Sequence, residues 1–299
     1  MTEVAVVGSL MMDFVAYAPR IPIIGETLLG SNFEKNFGGK GANQAVMLRN
    51  LGVNVSMFCK VGNDSFGAEY ITSLQGMGVK VQTLKHPTES TGIACITVDN
   101  SGNNSIVIIA GANTTVTVDD VTGWKDALLQ CKIIVCQNEI STIGTSTTLS
   151  LVREHNTQVG EKGRKITTVF NPAPVNDPKS CLELCLLADI VCPNEVELSM
   201  LTDMPTNTDE EISAAVKQLF TMGCETLVVT LGGRGAFLGR RSNNTVEFLR
   251  IPPVTNCIDT VGAGDCFIGM YYYSVYYYEY IFNLYVYNIL YYMYYIIYY

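Results

Sequence analysis

Histidine is nearly missing from this 299-residue chain, which carries only His86 and His155. The ten cysteines fall at irregular spacings, with no CxxC pair. Together these absences exclude the usual Cys/His zinc sites and leave the thiols as reduced, buried side chains of a cytoplasmic protein. Basic charge is scarce as well. Nineteen Lys and Arg stand against 28 Asp and Glu, a net charge of −9, which argues against nucleic acid or an anionic membrane as the main partner. The start, MTEVAVVGSLMMDF, has no basic segment before its apolar run and carries an acid at Glu3, so it reads as a first buried strand rather than a signal peptide. Residues 271–299 contain no Ala, Gly, Lys or Arg and hold 15 of the 17 tyrosines. Tyrosine belongs at membrane interfaces, and this anomalous Tyr-rich run carries it throughout, so it is not read as a membrane span.

What is present is an alternation of short apolar β-branched runs with helical patterns. Strands are predicted at 4–8, 56–62, 132–137, 165–170, 189–193 and 226–232. Helices are predicted at 41–51, 67–77, 119–130, 145–156, 180–187, 194–202 and 209–222. Strands that are apolar throughout and separated by helices imply a mostly parallel central sheet with helices on both faces, an α/β fold. The stretch 91–113 breaks the rhythm: two β-runs flank DNSGNN, so it reads as a hairpin forming a small flap on the main sheet. With no internal repeat or long linker before residue 270, the chain reads as one domain with a β appendage.

Four stretches carry chemistry. DTVGAGDCF, residues 259–267, sets Gly262, Ala263 and Gly264 directly before Asp265. Small residues let backbone N–H groups gather into a concavity for an anion, and an acid beside such a nest needs a task of its own. NFGGKGANQ, residues 36–44, superficially resembles a phosphate loop, but Lys40 is followed by Gly41 rather than Ser or Thr. GSLMMD, residues 8–13, lacks GxGxxG spacing, and TLGGRG, residues 230–235, alone reads equally as an ordinary turn. Carboxylates stand at strand ends: Asp13 after the first strand, Glu139 after IIVCQ and Asp265 after the nest. Ligands of open parallel sheets bind at those ends, and acids there suit the hydroxyls of a sugar. Singly, each acid is equally a helix cap or a solvated turn; jointly with Lys40, Asn43 and the nest they point to a site whose general base is a carboxylate.

GGKGANQAVMLRNLG and DTVGAGDCFIG resemble the two signature stretches of the PfkB carbohydrate kinase family. GSLMMD, GNDSFG at 62–67, NPAP at 171–174, PNEVE at 193–197 and TLGGRG follow in that family's order, so the resemblance covers residues 1 to about 270. It implies ATP-dependent phosphorylation of D-ribose at its 5-hydroxyl, giving D-ribose 5-phosphate and ADP. The sugar would lie against Met11, Asp13, Gly39, Lys40, Gly41, Ala42, Asn43 and Glu139; some members have Asn where this chain has Met11. Asp265 would be the general base, and Gly262, Ala263 and Gly264 would hold the charge on the transferred phosphoryl group. The nucleotide would meet Asn194, Thr230, Leu231, Gly232, Gly233, Arg234, Gly235, Gly264 and Asn288. Glu197 would act on Mg²⁺ through water, and the carbonyls of Asp259 and Val261 on an activating K⁺. The hairpin at 91–113, with 14–36, would form a β lid and the contact of a homodimer. Other kinases of the family, acting on deoxyribose, fructose or nucleosides, and a sugar-binding form without turnover remain open at this point.

Overall fold

The computed structural model describes residues 3–242, 245–251 and 264–269. Its thirteen strands are β1 Val4–Val7, β2 Met11–Ala18, β3 Asn32–Gly38, β4 Val55–Gly62, β5 Lys80–His86, β6 Gly92–Asp99 and β7 Asn104–Ile109, followed by β8 Ile133–Gln137, β9 Thr167–Asn171, β10 Ile190–Val191, β11 Thr226–Thr230, β12 Ala236–Ser242 and β13 Thr245–Ile251. The helices are α1 Lys40–Asn50, α2 Ser65–Gly76, α3 Val118–Leu128, α4 Thr142–Val159, α5 Pro178–Cys185, α6 Glu195–Thr202 and α7 Asp209–Met222.

Nine strands form the main sheet in the order β13-β12-β11-β10-β9-β8-β1-β4-β5. From β5 to β11 every pairing is parallel, and only the β11–β12 and β12–β13 pairings are antiparallel. The apolar strands are buried on both faces, as a parallel sheet requires. In β1, Val4 and Val6 enter one core cluster, with residues of α1 and α2, while Ala5 and Val7 enter the other, with residues of α3 to α7. The chain leaves β1 toward β4 on one side and later returns to place β8 on the other. The strand order thus reverses between β1 and β8, where an open α/β sheet leaves a crevice at its carboxyl ends.

The hairpin belongs elsewhere than the local pattern suggests. β6 and β7 are part of a separate four-stranded sheet, ordered β3-β2-β6-β7, rather than a flap on the main sheet. β6 takes β2 as its parallel partner, Met11 opposite Gly92, across some 80 intervening residues that no local signal links. Asp13 correspondingly sits inside β2, not in a loop after the first strand. The junction of the two sheets is pinned by Asn113, a buried side chain that accepts from Leu10 N at 3.0 Å and donates to Leu10 O at 2.9 Å. Asp64 holds the neighbouring corner, accepting from the Thr91 N–H and hydroxyl at 2.7 Å each and from Gly67 N at 2.8 Å. Among the described residues no helix is long and apolar enough to cross a membrane.

Candidate active site

The site gathers where β1 and β8 end and α1 begins. Helix α1 has Gly39 as its N-cap, with φ of +93° and no side-chain cap of its own. A β-carbon there would meet Met11 N at 2.9 Å and Ser9 O at 3.0 Å, so both the conformation and the space call for glycine. The cap is supplied from 99 residues away: Lys40 N donates to Glu139 Oε2 at 2.9 Å. The Ser9 hydroxyl donates to the same oxygen at 2.6 Å and accepts from Gly41 N at 3.3 Å. Ala42 N donates to Ser9 O at 3.0 Å, which ties the first turn of α1 to the end of β1. A carboxylate at a helix N-terminus is electrostatically favoured, so the position of Glu139 needs no further support.

Met11 and Asp13 lie two apart on β2 and therefore point to one face. Met11 is buried yet belongs to neither core cluster, and Asp13 is half-buried. Burial, with the charge of Glu139 second, pushes the Asp13 carboxyl up from its ordinary range to about 6. The buried hydroxyl of Tyr70 donates to Gly38 O and steadies the end of β3. Burial, then the charges of Asp13, Cys59 and Glu139, raises its pKa.

Asp265 is buried within the helical stretch 264–269, whose Phe267 and Ile268 join the core cluster containing Ala42, Ala45 and Leu48 of α1. That packing brings Asp265 onto α1. Asn43 Nδ2 donates to Asp265 Oδ2 at 3.1 Å, and Gln44 Nε2 to Oδ1 at 2.9 Å. Gly264 is exposed, with open space where a β-carbon would stand. Gly262, Ala263, Asp259, Val261 and Asn288 lie outside the described residues.

On the other flank, Asn194 caps α6: its side chain accepts from Glu197 N at 2.7 Å, and Asn194 N donates to Glu197 Oε2 at 2.8 Å. Burial raises the Glu197 carboxyl above its usual range, and Asp265 adds to this, against the hydrogen bond from Asn194 and the charge of Lys40. The charges of Lys40 and Asp265 therefore both reach Glu197. Asn194 bridges to Thr230, and Thr230 N donates to Pro193 O at 3.0 Å. Leu231 is buried, and its N–H closes the following turn on Gly235 O at 2.8 Å, leaving Gly232 and Gly233 exposed. The Arg234 side chain pairs with Glu195 and donates to Asn207 O at 2.7 Å and Thr206 O at 3.1 Å. It ties this turn to α6 and to the loop ahead of α7, so the turn offers a nucleotide chiefly its backbone.

Four carboxylates and one lysine thus ring the carboxyl edge of the sheet. Such a set accepts from hydroxyls, removes a proton and meets an anion with Lys40. As for a cation, the described bond of Glu197 uses only Oε2, and a hard carboxylate oxygen suits a hydrated Mg²⁺, which keeps several waters and takes one or two carboxylates beside substrate phosphates. Among the described residues no group of three or more His, Cys, Asp or Glu forms a ready metal cage. Ser9, Gln44, Gln137 and Asn171 were given no role from the motifs. Ser9, Gln44 and Asn171 lie within the quoted GSLMMD, GGKGANQ and NPAP stretches, and the amide of Gln137 ends an otherwise apolar strand.

Comparison with known proteins agrees with this geometry. The chain is 36% identical over 270 residues to "Ribokinase" of Mus musculus, covering 89% of this chain and 79% of that one. It is 35% identical over 271 residues to "Deoxyribokinase" of Salmonella typhi, covering 90% of this chain and 84% of the other. The structure of Arabidopsis thaliana ribokinase complexed with ribose and ATP superposes with a TM-score of 0.77 at 29% identity, covering 92% of this chain and 86% of that one. Residues 1–275 match the family described as pfkB family carbohydrate kinase. A parallel sheet whose carboxyl edge gathers Asp13, Lys40, Glu139 and Asp265, and a family match over nearly its whole length, have one reading: the chain belongs to the pfkB family of carbohydrate kinases.

Proposed function

We propose that this protein is an ATP-dependent kinase of D-ribose, yielding D-ribose 5-phosphate and ADP. One observation carries the reading: the Asn43–Asp265 hydrogen bond spans 222 positions and joins the two signature stretches into one site. Ribose lies against Asp13, Lys40, Asn43 and Glu139, which supply acceptors and donors to its hydroxyls. Asp265 takes the proton of the attacking hydroxyl as the sugar oxygen bonds to the γ-phosphorus and the bond to ADP breaks. Phosphoryl transfer asks mainly for positioning and charge neutralisation, and Lys40, the N–H of Gly264 and the turn Leu231–Gly235 would supply them. Mg²⁺ neutralises phosphate charge when bound, with Glu197 holding its water. K⁺ activation through Asp259 and Val261 belongs to the same proposal, as does action in the cytoplasm, in keeping with nine described cysteines that form no disulfide among themselves. A homodimer through the four-stranded sheet is supported by β7, an edge strand whose Ile106, Val107, Ile108 and Ile109 are all exposed.

A second reading, 2-deoxyribose as substrate, is favoured by Met11. A thioether is at best a weak acceptor and makes no demand for a hydroxyl on its side of the sugar. The relative named deoxyribokinase supports the same reading. Coupled ADP release with ribose, 2-deoxyribose, fructose and adenosine ranks these substrates by kcat/KM. Ribose first, with deoxyribose second, is the expected order; turnover of adenosine alone, or of none of the four, would overturn the proposal.

A further inference from the structure

Asp265 is held by more than the helix that carries it. Gln44 Nε2, which donates to Asp265 Oδ1, also lies 3.4 Å from Asn171 Oδ1, and Asn171 Nδ2 donates to Cys192 O at 2.8 Å. On its other side Gln44 Oε1 accepts from Gln137 Nε2 at 2.8 Å. All three amides are buried. They form a row from the ends of β8 and β9 to α1, across the carboxyl edge of the main sheet.

The sense of this row is set by chemistry. A carbonyl and a carboxylate only accept. The Cys192 carbonyl therefore claims the NH₂ of Asn171 and turns its oxygen toward Gln44. Gln44 then faces two acceptors, Asn171 Oδ1 and Asp265 Oδ1, and presents its NH₂ to both. Its own oxygen is left for a donor, which Gln137 provides. The row ends at Gln137 Oε1, which is buried without a hydrogen-bond partner and packed so closely on Gly8 that a β-carbon there would lie 2.1 Å away. This orphan acceptor follows from the same logic: turning the Gln137 amide round would set its oxygen against that of Gln44. A lone unsatisfied group at the end of a fully directed row marks the row as fixed in one polarity.

We propose that Gln44 is a positioning residue for Asp265, and that Gln137 and Asn171 fix the sense of the Gln44 amide. Oδ1 is committed to Gln44, and Oδ2, which carries the longer bond from Asn43, is the oxygen that takes the sugar's proton. The proposal rests on Asp265 being the base, as argued above.

Gln44→Met keeps the length of the side chain and removes its donor. Its kcat is expected to fall about a hundredfold, the scale of a misplaced reacting group, with the KM for ribose within about threefold. In an Asp265→Asn background the same change should cost less than about twofold, because the group it positions is gone. A row that merely fills a polar gap in the core predicts the same cost in both backgrounds, and that result overturns the proposal. So does Gln44→Met with kcat within about threefold of the unsubstituted enzyme when Asp265→Asn has lost most of its turnover. Should Asp265→Asn itself keep most of its turnover, the assignment of the base fails instead. If Gln44→Met shows no cooperative melt, Gln137→Met decides, since it removes the orphan acceptor together with the donor. About a tenfold loss of kcat at little-changed ribose KM supports the positioning role, and an unchanged kcat refutes it.

Discussion

Strand β8 reads IIVCQ and is buried at every position, whereas β7 reads NSIVII and is exposed at every position. Their apolar content is alike; their neighbours differ. β8 lies between β1 and β9 with a core cluster on each face, while β7 is the edge of a four-stranded sheet. Apolar sequence gives a strand something to bury, and topology decides whether it is covered. The division also separates tasks. The ends of the main sheet and the helices packed on it hold Asp265, Glu139 and Glu197 in hydrogen-bonded places, and the smaller sheet contributes Asp13 from within β2.

The largest expected effect lies on the main-sheet side. Asp265→Asn should lower kcat by about 10²–10⁴-fold and leave ribose affinity within a few-fold, since a general base acts on turnover. Steady-state rates and ribose titration check this; more than about a tenth of the original kcat would remove Asp265 from the role. Next comes Glu139→Ala, which takes an acceptor from the sugar and the cap from α1. Ribose binding should weaken by roughly 1–3 kcal/mol and the melting temperature should drop. A fall in ATP affinity with the ribose KM unmoved would mean the sugar pocket is misplaced.

The smaller sheet should answer through pH. The Asp13 carboxyl titrates near 3.8 when unfolded and at about 6 in the fold, so between those values the folded chain holds the proton more firmly. Its contribution therefore favours the fold at low pH and is lost as pH rises from about 4 through 6. Without ribose, Asp13→Asn should melt above the unsubstituted protein at pH 7 by a few degrees, and the gap should close near pH 4. Ribose binding should be weakened in the same variant. An equal gap at both pH values would show that the Asp13 charge is not the cause. The smallest effect on stability is expected at β7. Ile106→Lys with Ile108→Lys should change folding stability by about 0.5 kcal/mol or less, as exposed substitutions do, while converting a dimer to a monomer in light scattering. A monomeric unsubstituted protein would dispose of the dimer.

Strands β1, β4, β8, β9, β10 and β11 and helices α1 to α7 were legible because their signal is local: β-branched apolar runs and 3.6-residue periodicity. β3, with NFEKNFG, and β5, with KVQTLKH, were not, since edge strands carry polar residues on both faces. The pairing of β6 with β2 depends on a partner far along the chain. Within the site, Asp13, Lys40, Asn43, Glu139 and Asp265 were found through strand ends and motif order. Gln44, Gln137 and Asn171 were not, because a buried amide has no spacing to announce it and shows its role only against its partners. Asn113 closes the stretch read as a hairpin, with no role of its own in the sequence, and the fold gives it the junction of the sheets.

That junction has the mechanics of a lever. Asn113 grips both backbone groups of Leu10, one residue before β2, so the point from which the smaller sheet extends is fixed to the end of β1. Eight residues of β2 reach about 26 Å from it at the usual rise per residue, and a turn of about 10° at the grip carries the far end through some 4–5 Å. Asp13, three residues from the fulcrum, travels less than half as far. Any turn about that grip would therefore move the rim of the smaller sheet more than twice as far as Asp13, the acid that sheet contributes to the site.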